Sequence, residues 1–296
     1  MIKRIVILGH TGFIGSRIEN FFFGNYSSVE IVGKSFPDFN LVEDAGFLED
    51  FFDLETAVIM CAAVKKQLGD SLENFEKNLI MVGNVCRVLA KCPVGRFIYF
   101  SSAAVYGESV QYDSITENTM IQPQTFYGAA KFASENILRK TVSQGLVILR
   151  PPVIYGPGDM AAYGPSGFVQ SAFVNGEIVL WGDGSEMREF IFVDDLVAVV
   201  EKMLFSEYQG VLNVASGQSY SYQEILKCIE EKTKQSLRLR SKERTQPQVN
   251  HYFDNRQLLE LLPGFRFTSL SEGVQKMIDV SQIVVSQEGI VQRGGV

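Results

Sequence analysis

Tyr127-Gly128-Ala129-Ala130-Lys131 sets a phenol and an ammonium four residues apart, and on a helix that spacing brings both onto one face. The pair suits proton transfer. A free phenol titrates near pH 10 and is a poor acid or base at neutrality. An ammonium about 4 Å away supplies on the order of 4 kcal/mol of Coulomb energy at an effective dielectric near 20, enough to bring the phenol into the neutral range. Such a spacing also arises by chance on ordinary surface helices, so its company matters. The stretch Arg96-Phe97-Ile98-Tyr99-Phe100-Ser101-Ser102-Ala103-Ala104-Val105-Tyr106-Gly107 is an apolar strand running into two hydroxyls. A third stretch, Gly9-His10-Thr11-Gly12-Phe13-Ile14-Gly15, lies between an apolar run and a helical pattern. Its glycines allow a tight turn and let the backbone approach a pyrophosphate seated on the helix N-terminus. His10 reads as a packing or hydrogen-bonding residue there, not a catalytic one.

These residues need a scaffold, and the sequence predicts one. Short apolar runs at Ile5–Leu8, Val29–Val32, Thr56–Cys61, Arg96–Phe100 and Leu146–Leu149 read as buried strands. Helical patterns alternate with them at Phe13–Phe22, Leu72–Leu89 and Tyr127–Gln144. That alternation predicts an α/β fold, a doubly wound parallel sheet with ligands at the carboxyl ends of its strands. After Pro151 the chain turns rich in Gly and Pro, which predicts loops and short elements, then a helix over Asp195–Phe205, a strand over Val211–Val214 and a helix near Tyr222–Lys232. We expect a Rossmann-like domain from 1–155 and 189–214, a smaller lobe from 156–188 and 215–285, and a loose tail over 286–296. One of Asp194 and Asp195 is expected to N-cap the helix that follows.

Composition narrows the classes further. With 46% hydrophobic and 21% charged residues the chain is globular rather than disordered. A net charge of −7 argues against nucleic-acid or anionic-membrane partners, which need a basic footprint. Cys61, Cys86, Cys92 and Cys228 form no CxxC pair and have no His cluster near them, so reduced thiols in a cytoplasmic protein are expected, without disulfide or metal. No apolar run reaches the length of a membrane helix, and the apolar start ends too early for a signal peptide.

Strand, glycine loop, Ser-Ser strand end and Tyr-Lys helix, in that order, resemble the extended short-chain dehydrogenase/reductase family, whose members mostly modify nucleotide-linked sugars. The resemblance implies Ser102 (four residues before Tyr106-Gly107, so not Ser101), Tyr127 and Lys131 as the catalytic triad, with Pro123-Gln124-Thr125-Phe126 as its lead-in. It implies cofactor contacts from Gly9, Thr11, Gly12, Phe13, Ile14 and Gly15, from Lys34, Ser35, Asn40 and Leu41, and from Pro151. It adds Ala62-Ala63-Val64-Lys65 as the cofactor turn after a fourth strand, with Cys61 beside it and Asn78 as the helix Asn. For the nucleotide sugar it implies Ser102, Val153, Phe168, Trp181, Arg188 and Arg244. The two arginines would grip the diphosphate, a task that suits a planar, permanently charged fork.

Departures from the family pattern discriminate between chemistries. The 4,6-dehydratase branch carries an Asp-Glu pair directly after the catalytic hydroxyl; here those places are Ala103 and Ala104, which move no proton. The fucose-forming epimerase-reductases use an additional Cys and His, and neither Ser102–Ala104 nor Arg150–Tyr155 supplies them; the only other His is His251. Val153 stands where many members have a sugar-contacting Asn. Two reactions remain: reduction of a 4-keto sugar, and 4-epimerisation through a transient ketone. The second strand ends Ile31-Val32-Gly33-Lys34-Ser35 with no acid for the adenosine ribose, whereas Lys34 and Ser35 can bind a 2′-phosphate. NADP(H) is thus favoured over NAD(H), and a 4-ketoreductase over a 4-epimerase that retains NAD. A cofactor-binding sensor without catalysis is the alternative of another class, but such relatives commonly lose the Tyr or Lys that this chain keeps. The resemblance also implies a homodimer through the helices at Leu72–Leu89 and Tyr127–Gln144. The second carries Phe132, Ile137, Leu138 and Val142, more apolar residues than one buried stripe requires.

Overall fold

The structure, a computed structural model, describes residues 1–107, 111–160, 163–173, 176–244 and 248–293. In chain order the first half contains β1 (Arg4–Leu8), α1 (Phe13–Asn25), β2 (Glu30–Lys34), β3 (Thr56–Met60), α2 (Leu72–Leu89), β4 (Arg96–Phe100), α3 (Phe126–Thr141) and β5 (Leu146–Arg150). Then come β6 (Val153–Tyr155), α4 (Pro165–Phe173), β7 (Glu177–Trp181), β8 (Met187–Phe192), α5 (Val193–Leu204), β9 (Gly210–Asn213), β10 (Ser219–Ser221), α6 (Tyr222–Thr233), β11 (Arg238–Lys242), α7 (Arg256–Leu261) and α8 (Leu270–Arg293).

Six strands form the main sheet in the order β2-β1-β3-β4-β5-β9, every pair parallel. The continuous apolar runs follow from burial on both faces. Ile5 and Ile7 of β1 join the core under α1 and α5, while Val6 and Leu8 join the core under α2. Strand order reverses at β1, so the loop after it opens at the switch point where ligands bind. The cofactor turn at Ala62–Lys65 follows the third strand, not a fourth: between β2 and β3 the chain forms only a short 3-10 turn over Gly46–Asp50.

The smaller lobe has its own core, in which Phe168, Ile178, Leu180, Phe190, Phe192, Ile225 and Val274 pack together. Phe190 and Phe192 belong to β8, which pairs with β6 and β10 rather than with the main sheet. The stretch from Ser236, polar and weakly patterned, holds β11, α7 and α8, and α7 returns Leu258 to the main core. In the expected loose tail, α8 continues to Arg293; residues 294–296 lie outside the described residues. Neither Asp194 nor Asp195 caps α5, whose N-cap is Phe192. Both acids sit in its first turn, where the helix dipole favours them. Asp195 accepts from the Thr268 backbone N–H (2.7 Å) and hydroxyl (2.8 Å), and Asp194 pairs with Arg17.

Candidate active site

A cleft of about 590 Å³ opens at the carboxyl ends of β1, β3, β4 and β5, between the sheet and the smaller lobe. Ser102, Tyr127 and Lys131 all line it. Ser102 follows β4 and caps the 3-10 turn Ala103–Tyr106, its Oγ accepting from the Ala104 N–H at 3.1 Å. Ser101 also reaches the cleft, but its Oγ donates to Glu135 Oε1 at 2.5 Å inside the protein. The two hydroxyls are thus separated in role, as alternation along a strand requires. Thr125 caps α3 by accepting from the Gly128 N–H at 3.0 Å, and Asp70 accepts from the Tyr127 N–H at 3.0 Å; together they fix the helix start that carries the phenol.

Lys131 is buried, and its Nζ donates to the Phe100 carbonyl at 2.6 Å. The same Nζ lies 5.7 Å from the centre of the Tyr127 ring. The ammonium and the phenol thus share one face of α3, as the four-residue spacing requires. Burial pushes the Lys131 ammonium down from 10.5 to about 8, against the opposing pull of Cys61 and Glu135. One turn beyond Lys131 lies Glu135, fully buried, bonded to Arg150 Nε at 2.8 Å and Nη2 at 2.6 Å. Arg150 also donates to the Tyr106 hydroxyl (2.9 Å), which donates to Asn213 Oδ1 (2.7 Å). This network locks β4, β5, β9 and α3 together beneath the site. Glu135 was missed in the sequence, though its place at i+4 from Lys131 continues the Tyr127 face.

The glycine loop fits a dinucleotide. A side chain on Gly15 would run into the Gly9 carbonyl oxygen, and Gly9 itself adopts φ +89° against Ala62. Gly12 caps α1 without any side-chain hydrogen bond, leaving the first N–H groups of a 13-residue helix to point outward. Phe13, Ile14, Cys61, Ala63, Lys65 and Pro151 of the expected cofactor set line the cleft. Asn78 braces the cofactor turn by bonding both the N–H (2.9 Å) and the carbonyl (3.1 Å) of Val64. Gly9, Thr11, Gly12, Gly15, Lys34, Ser35, Asn40, Leu41 and Ala62 are not part of the cleft lining. Leu41 is buried in the core beneath the sheet, and Asn40 Oδ1 accepts from the Val42 N–H at 3.1 Å. Lys34 Nζ rests over the rings of Phe39 (4.1 Å) and Phe51 (4.2 Å), and the Ser35 hydroxyl accepts from the Thr11 N–H at 3.2 Å.

On the lobe side Val153, Trp181, Arg188 and Arg244 line the cleft. The two arginines come from β8 and from the segment after β11, yet they converge on one carboxylate: Glu186 Oε1 lies 2.5 Å from Arg188, and Oε2 lies 3.0 Å from Arg244. Glu186 was not singled out in the sequence, because nothing local announces that a distant arginine shares it. Phe168 is not at the site. It is buried in the lobe core against Tyr163, and it is Tyr163 that reaches the cleft. The fold also brings His251 into the lining, together with Cys61. Burial pushes the Cys61 thiol up to about 12, out of range for proton transfer at neutral pH. Ala103 and Ala104, the places at which the resemblance sets a dehydratase's carboxyls, line the cleft.

Residues 5–215 match the model of the NAD dependent epimerase/dehydratase family. The chain belongs to that family. A provisionally named UDP-glucose 4-epimerase of Methanocaldococcus jannaschii is 26% identical over 255 residues, covering 76% of this chain and 81% of the relative. The dTDP-4-dehydro-6-deoxy-D-allose reductase of Streptomyces bikiniensis is 26% identical over 189 residues, 58% of this chain and 57% of the relative. Among solved structures, MoeE5 in complex with UDP-glucose and NAD superposes with a TM-score of 0.82 at 21% identity, covering 95% of this chain and 99% of that one. As a family member of the extended short-chain dehydrogenase/reductase type, the chain is an NAD(P)-dependent enzyme of the nucleotide-sugar epimerase/dehydratase class. No described helix is long and apolar enough to cross a membrane.

Proposed function

We propose that this enzyme oxidises and reduces the 4-position of a nucleoside diphosphate sugar, and that its net reaction is 4-epimerisation with a retained NAD. One observation carries the reading: Ser102, Tyr127 and Lys131 face the paired arginines Arg188 and Arg244 across a single cleft that has Ala103 and Ala104 in place of elimination carboxyls. Phe13, Ile14 and Ala63 would help to hold the dinucleotide, which would supply a hydride acceptor and donor. The chain's own residues do the rest. Arg188 and Arg244 exchange Glu186 for the diphosphate and so set the depth of the sugar. Ser102 Oγ accepts from or donates to the 4-oxygen and holds it against Tyr127. The Tyr127 phenolate takes the 4-hydroxyl proton and later returns it, while the Lys131 ammonium steadies the negative phenolate.

The sequence favoured NADP(H) and a 4-ketoreductase because Lys34 and Ser35 end β2. Lys34 packs against two aromatic rings, which hold its ammonium away from a 2′-phosphate; the Ser35 hydroxyl accepts from the Thr11 N–H and alone offers no positive charge to one. This supports NAD(H) and moves the reading to the epimerase; the reductase named among the relatives keeps the second reading in play. The division of labour we propose gives the six-stranded sheet and its helices to the dinucleotide and the smaller lobe to the sugar nucleotide; because β6 (Val153–Tyr155) and β8 (Met187–Phe192) pair with each other and pack in the lobe core, the expected boundaries at 155 and 189 move to about 152 and 193. The experiment is product analysis by NMR with UDP-, dTDP-, GDP- and CDP-hexoses. We expect the 4-epimer of one of them to accumulate with catalytic NAD and no net oxidation of NADPH. Stoichiometric NADPH oxidation with a 4-keto sugar establishes the reductase instead.

Two further readings complete the proposal. Four unpaired thiols support a cytoplasmic setting. Phe132, Ile137 and Val142, counted toward a dimer face, pack against cores of the same chain, and Leu138 is fully buried. Leu72, Ile80 and Phe126 on α2 and α3 are the exposed apolar residues instead, and they support a homodimer through those helices. Light scattering gives twice 33.0 kDa for a dimer and 33.0 kDa for a monomer.

A further inference from the structure

The carboxylate that is missing from the end of β2 is present in space. Gly33 occupies the strand end at which an acid ordinarily meets the adenosine ribose, about 20 residues past the glycine loop. A side chain built on Gly33 would collide with the Glu19 carboxylate and with the His10 ring. Glu19 comes from α1, and its two oxygens lie 3.0 and 3.1 Å from His10 Nδ1, a residue of the glycine loop itself. The Glu19 side chain keeps 31% of its surface exposed, so one edge remains open to a ligand. Glycine at 33 is thus the space that a carboxylate from the neighbouring helix fills.

We propose that Glu19, held by His10 over Gly33, reads the adenosine ribose and selects NAD(H) against NADP(H). The inference rests on the dinucleotide reading of the glycine loop and deepens it. A carboxylate is acceptor-only and suits a hydroxyl donor, whereas a 2′-phosphate carrying close to two negative charges is repelled by it. The neighbouring cation that could offset the repulsion, Lys34, has its ammonium against the Phe39 and Phe51 rings. His10 therefore has a defined task. It orients the reading carboxylate, which explains a histidine in a loop where small residues suffice for the turn.

The test is a fluorescence titration of the purified full chain with NADH and with NADPH, without any sugar nucleotide. The wild type is expected to bind NADH at least about tenfold more tightly, which is about 1.4 kcal/mol. Glu19→Gln keeps the shape and the hydrogen bond to His10 but removes the charge. It is expected to narrow the ratio about tenfold, chiefly by gaining NADPH. Glu19→Ala serves as the second variant, and circular dichroism confirms that each retains the fold. Tighter NADPH binding by the wild type, or an unchanged ratio in both variants, overturns the role of Glu19 and leaves dinucleotide binding standing. Binding of neither dinucleotide overturns both.

Discussion

Replacing Lys131 by Met separates the chemical role of this residue from the cost of burying it. The ammonium is 3% exposed and titrates near 8 in the folded protein against 10.5 when unfolded. That difference corresponds to a charge-burial penalty of about 3 kcal/mol at pH 7. Between pH 8 and 10.5 the unfolded chain holds the proton that the folded chain has shed, so stability rises with pH through this window. The penalty is full below about pH 8 and gone above about 10.5; at pH 9 it has fallen to about 2 kcal/mol. Methionine removes the charge but leaves the Phe100 carbonyl without its 2.6 Å partner, a loss of about 1–3 kcal/mol that does not vary with pH. Urea unfolding at pH 7 and pH 9 therefore gives two results. The variant equals or exceeds the wild type in stability at pH 7, and its relative advantage shrinks by about 1 kcal/mol at pH 9. Turnover falls at least about a hundredfold at both. A stability difference that stays constant with pH, or grows toward pH 9, refutes the buried-ammonium argument.

Tyr127→Phe removes only the proton relay and is expected to lose at least about a hundredfold in turnover while its melting temperature holds; near-normal activity contradicts the triad. Gly15→Ala drives a methyl group into the Gly9 carbonyl and is expected to weaken NADH binding at least about tenfold by titration. Arg188→Ala removes one of the two arginines proposed to hold the diphosphate, worth about 1.5–3 kcal/mol for a charged hydrogen bond, and is expected to raise KM about tenfold or more with a smaller change in kcat.

Much of this was legible before the fold. Strands buried on both faces appear as unbroken apolar runs, so β1, β3, β4 and β5 were placed within a residue or two, and α2 ends where its pattern ends. The meeting of Ser102, Tyr127 and Lys131 in one cleft was legible because Tyr127 and Lys131 are four residues apart on one helix and Ser102 closes a strand. What was not legible depends on distance in the chain. Glu186 joins Arg188 to Arg244 across nearly sixty residues, and Glu19 reaches Gly33 from a helix whose own sequence gives no hint of that neighbour. The surroundings of Lys34 were hidden for the same reason: as a charge at a strand end it reads as a ligand group, and only packing shows Phe51 beside it. Phe168 was misplaced because burial in a small lobe cannot be told from a cleft wall by pattern alone.

The central claim is reversible hydride and proton transfer at the sugar 4-carbon, and the fate of deuterium at that carbon tests it most directly. The enzyme, supplied with NAD, is incubated with the 4-deuterated form of the nucleoside diphosphate hexose it accepts, and the product is read by mass spectrometry and NMR. The account predicts a 4-epimer that retains its deuterium, with no solvent hydrogen entering at any carbon. A product that has exchanged its label for solvent hydrogen, or a 4-position left untouched while another carbon changes, contradicts it.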